Sequence, residues 1–224
     1  MHINCVVDSL NDTNGYIISD LYTRGTIIID PCDSDLINAY IQDKHLTNEL
    51  IILTHEHYDH IAGLNNLRFL YNSPVIANIT CSKYIQSPIK NMARYYDILL
   101  TFRKNKFNLE NLRIPEINKN YKCSKADIEF EILYNFNWHN HEFALYKTPG
   151  HSDGSCCILV DNKYLFSGDS LLKDYQVIFG FPGGSKDAFY KQTLPFFLTL
   201  NWDTIVYPGH GRTFILRDVL DMLK

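Results

Sequence analysis

The chain has 224 residues, 46% of them apolar, and 21 Lys or Arg stand against 25 Asp or Glu for a formal charge of −4. Such a composition suits one substantial core in a single domain over residues 1–224, and it excludes a disordered tail-like chain. No stretch approaches the roughly 18 apolar residues of a membrane-spanning helix, and the slight acidity, with no further nucleic-acid module, argues against a nucleic-acid partner.

Short strands are expected at residues 4–8, 15–19 and 26–30, the first two joined by the polar turn Asn11-Asp12-Thr13-Asn14. A short amphipathic helix follows at 36–41, capped by Asp33 or Ser34. The run Leu50-Ile51-Ile52-Leu53 reads as a buried strand, and Ile61, Leu64 and Leu67 then recur at helical spacing over 60–70. Further strands are expected at 74–77, 127–133, 142–148, 155–160, 164–166 and 204–207, with helices at 186–200 and 217–223. Strand-rich halves with helices at matching places predict an α/β (α+β) fold, a four-layer αββα sandwich.

Residues 81–125 break this pattern and read as an inserted segment of mainly helical character. They hold ten basic residues (Lys83, Lys90, Arg94, Arg103, Lys104, Lys106, Arg113, Lys119, Lys122, Lys125) against Asp97, Glu110 and Glu116. Tyr84, Tyr95, Tyr96, Phe102 and Phe107 recur among those cations. Three roles fit: a lid that attracts an anionic substrate, a solvated helical face with its aromatics turned inward, or a homodimer contact.

Cys5, Cys32, Cys81, Cys123, Cys156 and Cys157 form no CxxC pair and read as buried free thiols, as in a reducing compartment. The opening Met1-His2-Ile3-Asn4-Cys5 has neither a basic start nor an apolar signal core, so the cytoplasm is the expected location.

The densest chemistry lies in Thr54-His55-Glu56-His57-Tyr58-Asp59-His60, on the loop between the Leu50–Leu53 run and the next helix. Neutral imidazole and carboxylate suit zinc, iron or manganese, and four donors in so short a loop suffice for parts of two ion sites. Downstream, His151, Asp169 and His210 each follow a glycine in a loop flanking an apolar strand, which raises the donor set to five His and two Asp. His139 and His141, two apart on an expected strand, read as structural, and His2 and His45 as surface residues.

The HxHxDH pattern from His55 to His60, followed in order by His151, Asp169 and Pro208-Gly209-His210-Gly211, resembles the metallo-β-lactamase-fold hydrolases. Within them it is most similar to the glyoxalase II-like (hydroxyacylglutathione hydrolase-like) branch. The resemblance implies that His55, His57 and His151 hold one divalent ion, Zn2+ in the first instance with Fe or Mn as alternatives. It implies that Asp59, His60 and His210 hold a second, and that Asp169 bridges the two. It also implies a hydroxide between the ions as nucleophile, with Asp59 as the catalytic residue that orients it or takes a proton from its parent water.

The expected reaction is hydrolysis of an activated carbonyl, a thioester or ester of a small anionic metabolite. A phosphodiesterase or nuclease-type hydrolase and an iron-dependent persulfide dioxygenase are the alternatives. Asp169 at the bridging position differs from the antibiotic-hydrolysing branch, and His57 stands where a diiron flavoprotein-type site has a carboxylate. Three departures turn the expectation away from glutathione thioesters. The sequence ends fourteen residues after His210, short of the family's glutathione-binding helices. Apolar residues precede Pro182-Gly183-Gly184-Ser185, and Arg212 replaces a frequent Tyr. Phe179, Phe181 and Arg212 are the candidate substrate contacts, the two Phe lining an apolar pocket and Arg212 reading a carboxylate or phosphate. Asp187, Tyr190 and Trp202 are expected to be structural.

Overall fold

A computed structural model describes residues 1–219. The first six strands are β1 (His2–Asp8), β2 (Thr13–Ser19), β3 (Gly25–Ile29), β4 (Thr47–Ile52), β5 (Val75–Asn78) and β6 (Ile128–Phe130). They lie side by side in sequence order, antiparallel from β1 to β3 and parallel from β3 to β6. The second sheet holds β7 (Leu133–Trp138), β8 (His141–Lys147), β9 (Cys156–Val160), β10 (Tyr164–Gly168), β11 (Ile205–Pro208) and β12 (Phe214–Ile215), with only β10 and β11 parallel.

Why two sheets face each other is written in β2, β3 and β4, where apolar residues point both ways. Ile18, Ile27, Ile29 and Ile52 meet Phe143, Leu145, Ile158 and Phe166 of the second sheet between the layers. Their neighbours Ile17, Ile28 and Ile51 face outward and are covered by Ile37 and Ile41 of α1 (Ser34–Asp43) and by Leu64 and Leu67 of α3 (Leu64–Tyr71). On the far face of the second sheet, Leu159, Leu165 and Val206 are covered by Phe189 and Phe197. Three apolar layers between four structural ones give the expected αββα sandwich.

Local chemistry fixes the element ends. The Asp33 carboxylate accepts from the backbone N–H groups of Asp35 and Leu36 and so caps α1. The helix expected at 60–70 is two pieces, α2 (Tyr58–Ile61) and α3, parted at Gly63, whose N–H donates to Pro31 O at 2.8 Å. The strand expected at 127–133 is also two: β6 closes the first sheet and β7 opens the second, because the chain changes sheets between Phe130 and Leu133. The long helix at 186–199 contains a π-helical turn at Phe189–Thr193, where Thr193 donates its hydroxyl to Pro149 O at 2.6 Å. Of the helix expected at 217–223, a 3-10 turn at Leu216–Val219 is seen, and the remainder lies outside the described residues.

Between β5 and β6 the basic segment forms α4 (Ile79–Tyr84), a 3-10 turn (Ala93–Tyr95) and α5 (Tyr96–Lys106). Helix therefore occupies only its first half, and the chain from 107 to 127 has no regular structure. Several of its cations are already engaged: Arg103 with Asp12, Lys119 with Asp97, Arg94 with Asn120, and Lys104 with the Leu112 carbonyl. Among the described residues, no helix is long and apolar enough to cross a membrane. All six cysteines are free, and all but the exposed Cys5 are buried.

Candidate metal centre

β3 and β4 are parallel in the first sheet and β10 and β11 are parallel in the second, and the loops after the carboxyl ends of all four bring their polar side chains together. From them come Asp30 (after β3), the 54–60 loop (after β4), Asp169 (after β10) and His210 (after β11), joined by His151 after β8. Main-chain bonds stitch this region: Asn14 N–H to Gly209 O at 2.7 Å, Gly209 N–H to Gly168 O at 2.8 Å, and Cys156 N–H to Thr54 O at 2.7 Å.

The seven sequence-predicted donors converge there. Atoms of His55, His57 and His151 lie within 4.8 Å of one another, as do atoms of Asp59, His60 and His210. Asp169 stands between the two clusters: its Oδ2 is 3.5 Å from Nε2 of both His151 and His210, and its Oδ1 is 3.6 Å from His60 Nε2. Apart from His210, which is partly exposed, the seven are buried.

Ring orientation is fixed from outside. Four imidazoles turn Nδ1 away from the centre: His55 to Thr54 Oγ1 (3.1 Å), His60 to Asp30 Oδ2 (2.9 Å), His151 to Ile178 O (2.9 Å) and His210 to Asp12 O (3.2 Å). In the neutral ring, an oxygen facing Nδ1 places the proton there and leaves Nε2 with a free lone pair, the usual arrangement behind a metal-bound histidine. His57 is reversed, with Nδ1 at 2.9 Å from His151 Nε2.

Asp30 also binds Thr54 and so forms a further close group with His55 and His60. Those hydrogen bonds occupy its oxygens, which makes it a buttress of the second cluster. Glu56 is buried but turns away from both clusters, where Ser152 donates its hydroxyl to Oε2 at 3.1 Å.

The electrostatics match a site for cations. Burial, reinforced by the neighbouring His151, lowers His57 to about 3, and burial lowers His55 and His151, so all three rings are neutral at pH 7. Burial opposes ionisation of Asp59 and Asp169, but His60 and His210 outweigh it and hold both carboxyls below their ordinary range. Burial likewise opposes a charged His210, yet Asp169 and Asp59 raise it well above the ordinary imidazole value. Buried His55 Nε2, His60 Nε2 and Asp169 Oδ1 have no hydrogen-bond partner. Stranding such atoms away from water costs about 1–3 kcal/mol each, which coordination of ions would remove. The donor set therefore fits divalent ions.

The family profile of the metallo-beta-lactamase superfamily matches residues 10–210. The chain belongs to that superfamily. Its members are generally metal-dependent hydrolases and bind metal ions, typically zinc. Among curated relatives, a hydroxyacylglutathione hydrolase from Pelagibacter ubique (strain HTCC1062) is 25% identical over 169 residues, 74% of this chain but 54% of that longer one. A probable metallo-hydrolase, YqgX, from Bacillus subtilis (strain 168) is 27% identical over 198 residues, 88% of this chain and 83% of that one. The crystal structure of the B3 metallo-beta-lactamase BLEG-1 superposes with a TM-score of 0.77 over 98% of this chain and 97% of its own, at 22% identity, which establishes the shared fold.

Two glycines before expected ligands serve the superfamily site in different ways. Gly168 has φ +49°, and a Cβ there would sit 2.4 Å from Thr54 Oγ1. At Gly209 space is limiting: a Cβ would lie 2.2 Å from Asp169 Oδ1 and 2.8 Å from His60 Cε1.

The candidate substrate residues separate. Phe181 presents its ring edge-on to His57 and His151, with centroids 5.4 and 6.0 Å away. Phe179 packs instead against Phe189 of the outer core at 5.2 Å. Arg212 is bound by Asp174 through Nε at 3.2 Å and Nη2 at 3.0 Å. His139 meets Glu49 and Thr23, and His141 meets Asp161 at 2.6 Å, so both have structural partners outside the two clusters.

Four further residues support the seven donors: Asp30 behind His60, Asn11 and Thr13 on Asp59, and the Asp12 carbonyl behind His210. The available signal was a carboxylate closing the apolar Ile27-Ile28-Ile29 run and a polar turn dense in side-chain donors.

Proposed function

We propose that this protein is a metal-dependent hydrolase that attacks an activated carbonyl, a thioester or ester of a small anionic metabolite, at a centre of two divalent ions. The observation that carries the reading is Asp169, within 3.6 Å of His60 on one side and 3.5 Å of His151 on the other, between two separate three-residue clusters. His55, His57 and His151 would hold one ion and Asp59, His60 and His210 the other, zinc in the first instance, with iron or manganese compatible with the same donors. Bound there, the ions would supply Lewis acidity that lowers the pKa of water toward neutrality and stabilises a developing oxyanion.

The chain's own groups complete the chemistry. Asp59 Oδ2 faces the second cluster, 3.4 Å from His210 Nε2, while among the described residues no hydrogen bond reaches Oδ1. Oδ1 is thus the atom that holds the attacking water and takes its proton. Phe181 shields the clusters and offers an apolar wall to the acyl group. A matched relative named as a hydroxyacylglutathione hydrolase supports a thioester. Arg212, already paired with Asp174, is a weaker anion reader than a free guanidinium.

Metal analysis with a panel of thioesters, esters, lactones and phosphodiesters tests the reading. About two ions per chain with hydrolysis of a thioester or ester is expected. Cleavage of phosphodiesters alone would transfer the function to phosphoryl chemistry. One tightly held iron, with oxygen consumed on a persulfide, would overturn hydrolysis.

A further inference from the structure

The second cluster has an outer support that the first lacks: the turn at 9–12 with the first residues of β2. Asn11 Nδ2 donates to Asp59 Oδ2 at 2.7 Å and Thr13 Oγ1 donates to the same oxygen at 2.9 Å. The Asp12 carbonyl faces His210 Nδ1 at 3.2 Å, and Thr13 forms a β-bridge with His210. Two of the three residues of the second cluster are therefore held by one short turn. His55, His57 and His151 receive no hydrogen bond from it.

That turn is in turn held by the inserted segment. Arg103 of α5 donates from Nη1 to the Leu10 carbonyl at 2.7 Å and from Nη2 to the Asp12 carboxylate. Leu10 packs into the apolar cluster that Tyr96, Leu100 and Ile117 of the segment form with Tyr58, the residue before Asp59. Within the turn, Asp8 accepts from the N–H groups of Leu10 and Asn11, and Asp12 adopts φ +53°. A non-glycine residue with positive φ persists only where its surroundings fix it, and Arg103 grips both the carboxylate of Asp12 and the carbonyl two residues before it.

We propose that Asn11 and Thr13 are positioning residues for the second metal ion, and that the basic insertion, through Arg103, sets whether that ion is held. The inference rests on the two-ion reading above. It assigns the insertion a task its sequence did not announce: Arg103 acts as a strut on the metal centre. Loosening the strut frees Asp59 and His210 together, so the centre passes from two ions to one without disturbing the three-histidine cluster.

The test is calorimetric zinc titration of the metal-free full chain. Asn11→Ala, Thr13→Val and Arg103→Ala are compared with Lys119→Ala, which removes an insertion cation that pairs with Asp97 and does not touch the turn. In the first three the second binding step is expected to weaken about 10- to 100-fold, the usual effect of losing a group that orients a ligand, while the first step stays within about twofold. Arg103→Lys should recover part of the loss. An unchanged second step in both Asn11→Ala and Arg103→Ala would overturn the proposal, as would an equal loss in Lys119→Ala. Should the native chain take up one ion only, the two-ion reading fails. The strut is then judged on crystal structures of the metal-free variants: reoriented Asp59 and His210 side chains uphold it, and native orientations overturn it.

Discussion

Replacing Asp30 with Ala should be among the most damaging single changes outside the seven donors. The Asp30 carboxylate is 1% exposed and accepts three hydrogen bonds, from Thr54 N–H at 2.7 Å, Thr54 Oγ1 at 2.5 Å and His60 Nδ1 at 2.9 Å. Besides Asp30, Thr54 Oγ1 meets only the Nδ1–H of His55, itself a donor, so truncation strands three buried donors. At about 1–3 kcal/mol for each stranded donor the loss is about 6 kcal/mol. For a chain of this size that is roughly 15 °C in the melting temperature of the metal-free protein. His60 would also lose the partner that fixes its tautomer, weakening the second ion by about 10- to 100-fold and leaving the first nearly unchanged. Thermal melts of metal-free protein together with zinc titration read both effects. Asp30→Asn, which keeps one acceptor oxygen, should show a smaller loss of stability. A metal-free melting temperature within about 2 °C of native and two native binding steps in Asp30→Ala would refute the reasoning.

Other consequences are equally direct. His151→Ala should remove an ion from the three-histidine cluster and reduce turnover by at least about 100-fold while far-UV circular dichroism stays native, because the ring lies in a loop; retained metal content would contradict it. Gly209→Ala would drive a Cβ to 2.2 Å from Asp169 Oδ1, so metal content and melting temperature should both fall, and native values for both would count against the packing argument. Phe181→Ala should raise KM for thioesters by about 10-fold with a smaller change in kcat, as expected for loss of an apolar contact; a kcat effect alone would assign the ring to the chemistry. Burial raises Glu56 from the ordinary 4.5 to about 7, so between those values the folded chain binds more protons than the unfolded one. Stability of the metal-free protein should therefore fall as pH rises through that window, by an amount on the order of 3 kcal/mol, and Glu56→Gln should flatten the fall. An identical pH slope in the variant would exclude Glu56 as its source.

The sequence made legible what depends on local density and periodicity. The 54–60 loop announces its donors because three imidazoles and a carboxylate seldom share so short a span, and the four layers follow from strands apolar on both faces. Hidden from it was whatever depends on pairing across long separations. Nothing local marks Phe130 to Leu133 as the crossing between sheets, since both flanks alternate as strands do. Asn11, Thr13 and Asp30 act on residues 48, 46 and 30 positions away, and Arg103 reaches 91 positions back to Asp12. As isolated polar residues they are indistinguishable from ordinary turn and surface positions. Phe179 and Phe181, two apart in one loop, take opposite environments, one in the outer core and one beside the histidines.

Elemental analysis of zinc-reconstituted protein, native and Asp59→Ala in parallel, tests the two-ion centre most directly. About two ions per native chain and about one in the variant are expected, with the three-histidine cluster still filled. One ion in the native chain, or two in Asp59→Ala, would contradict the two-ion centre.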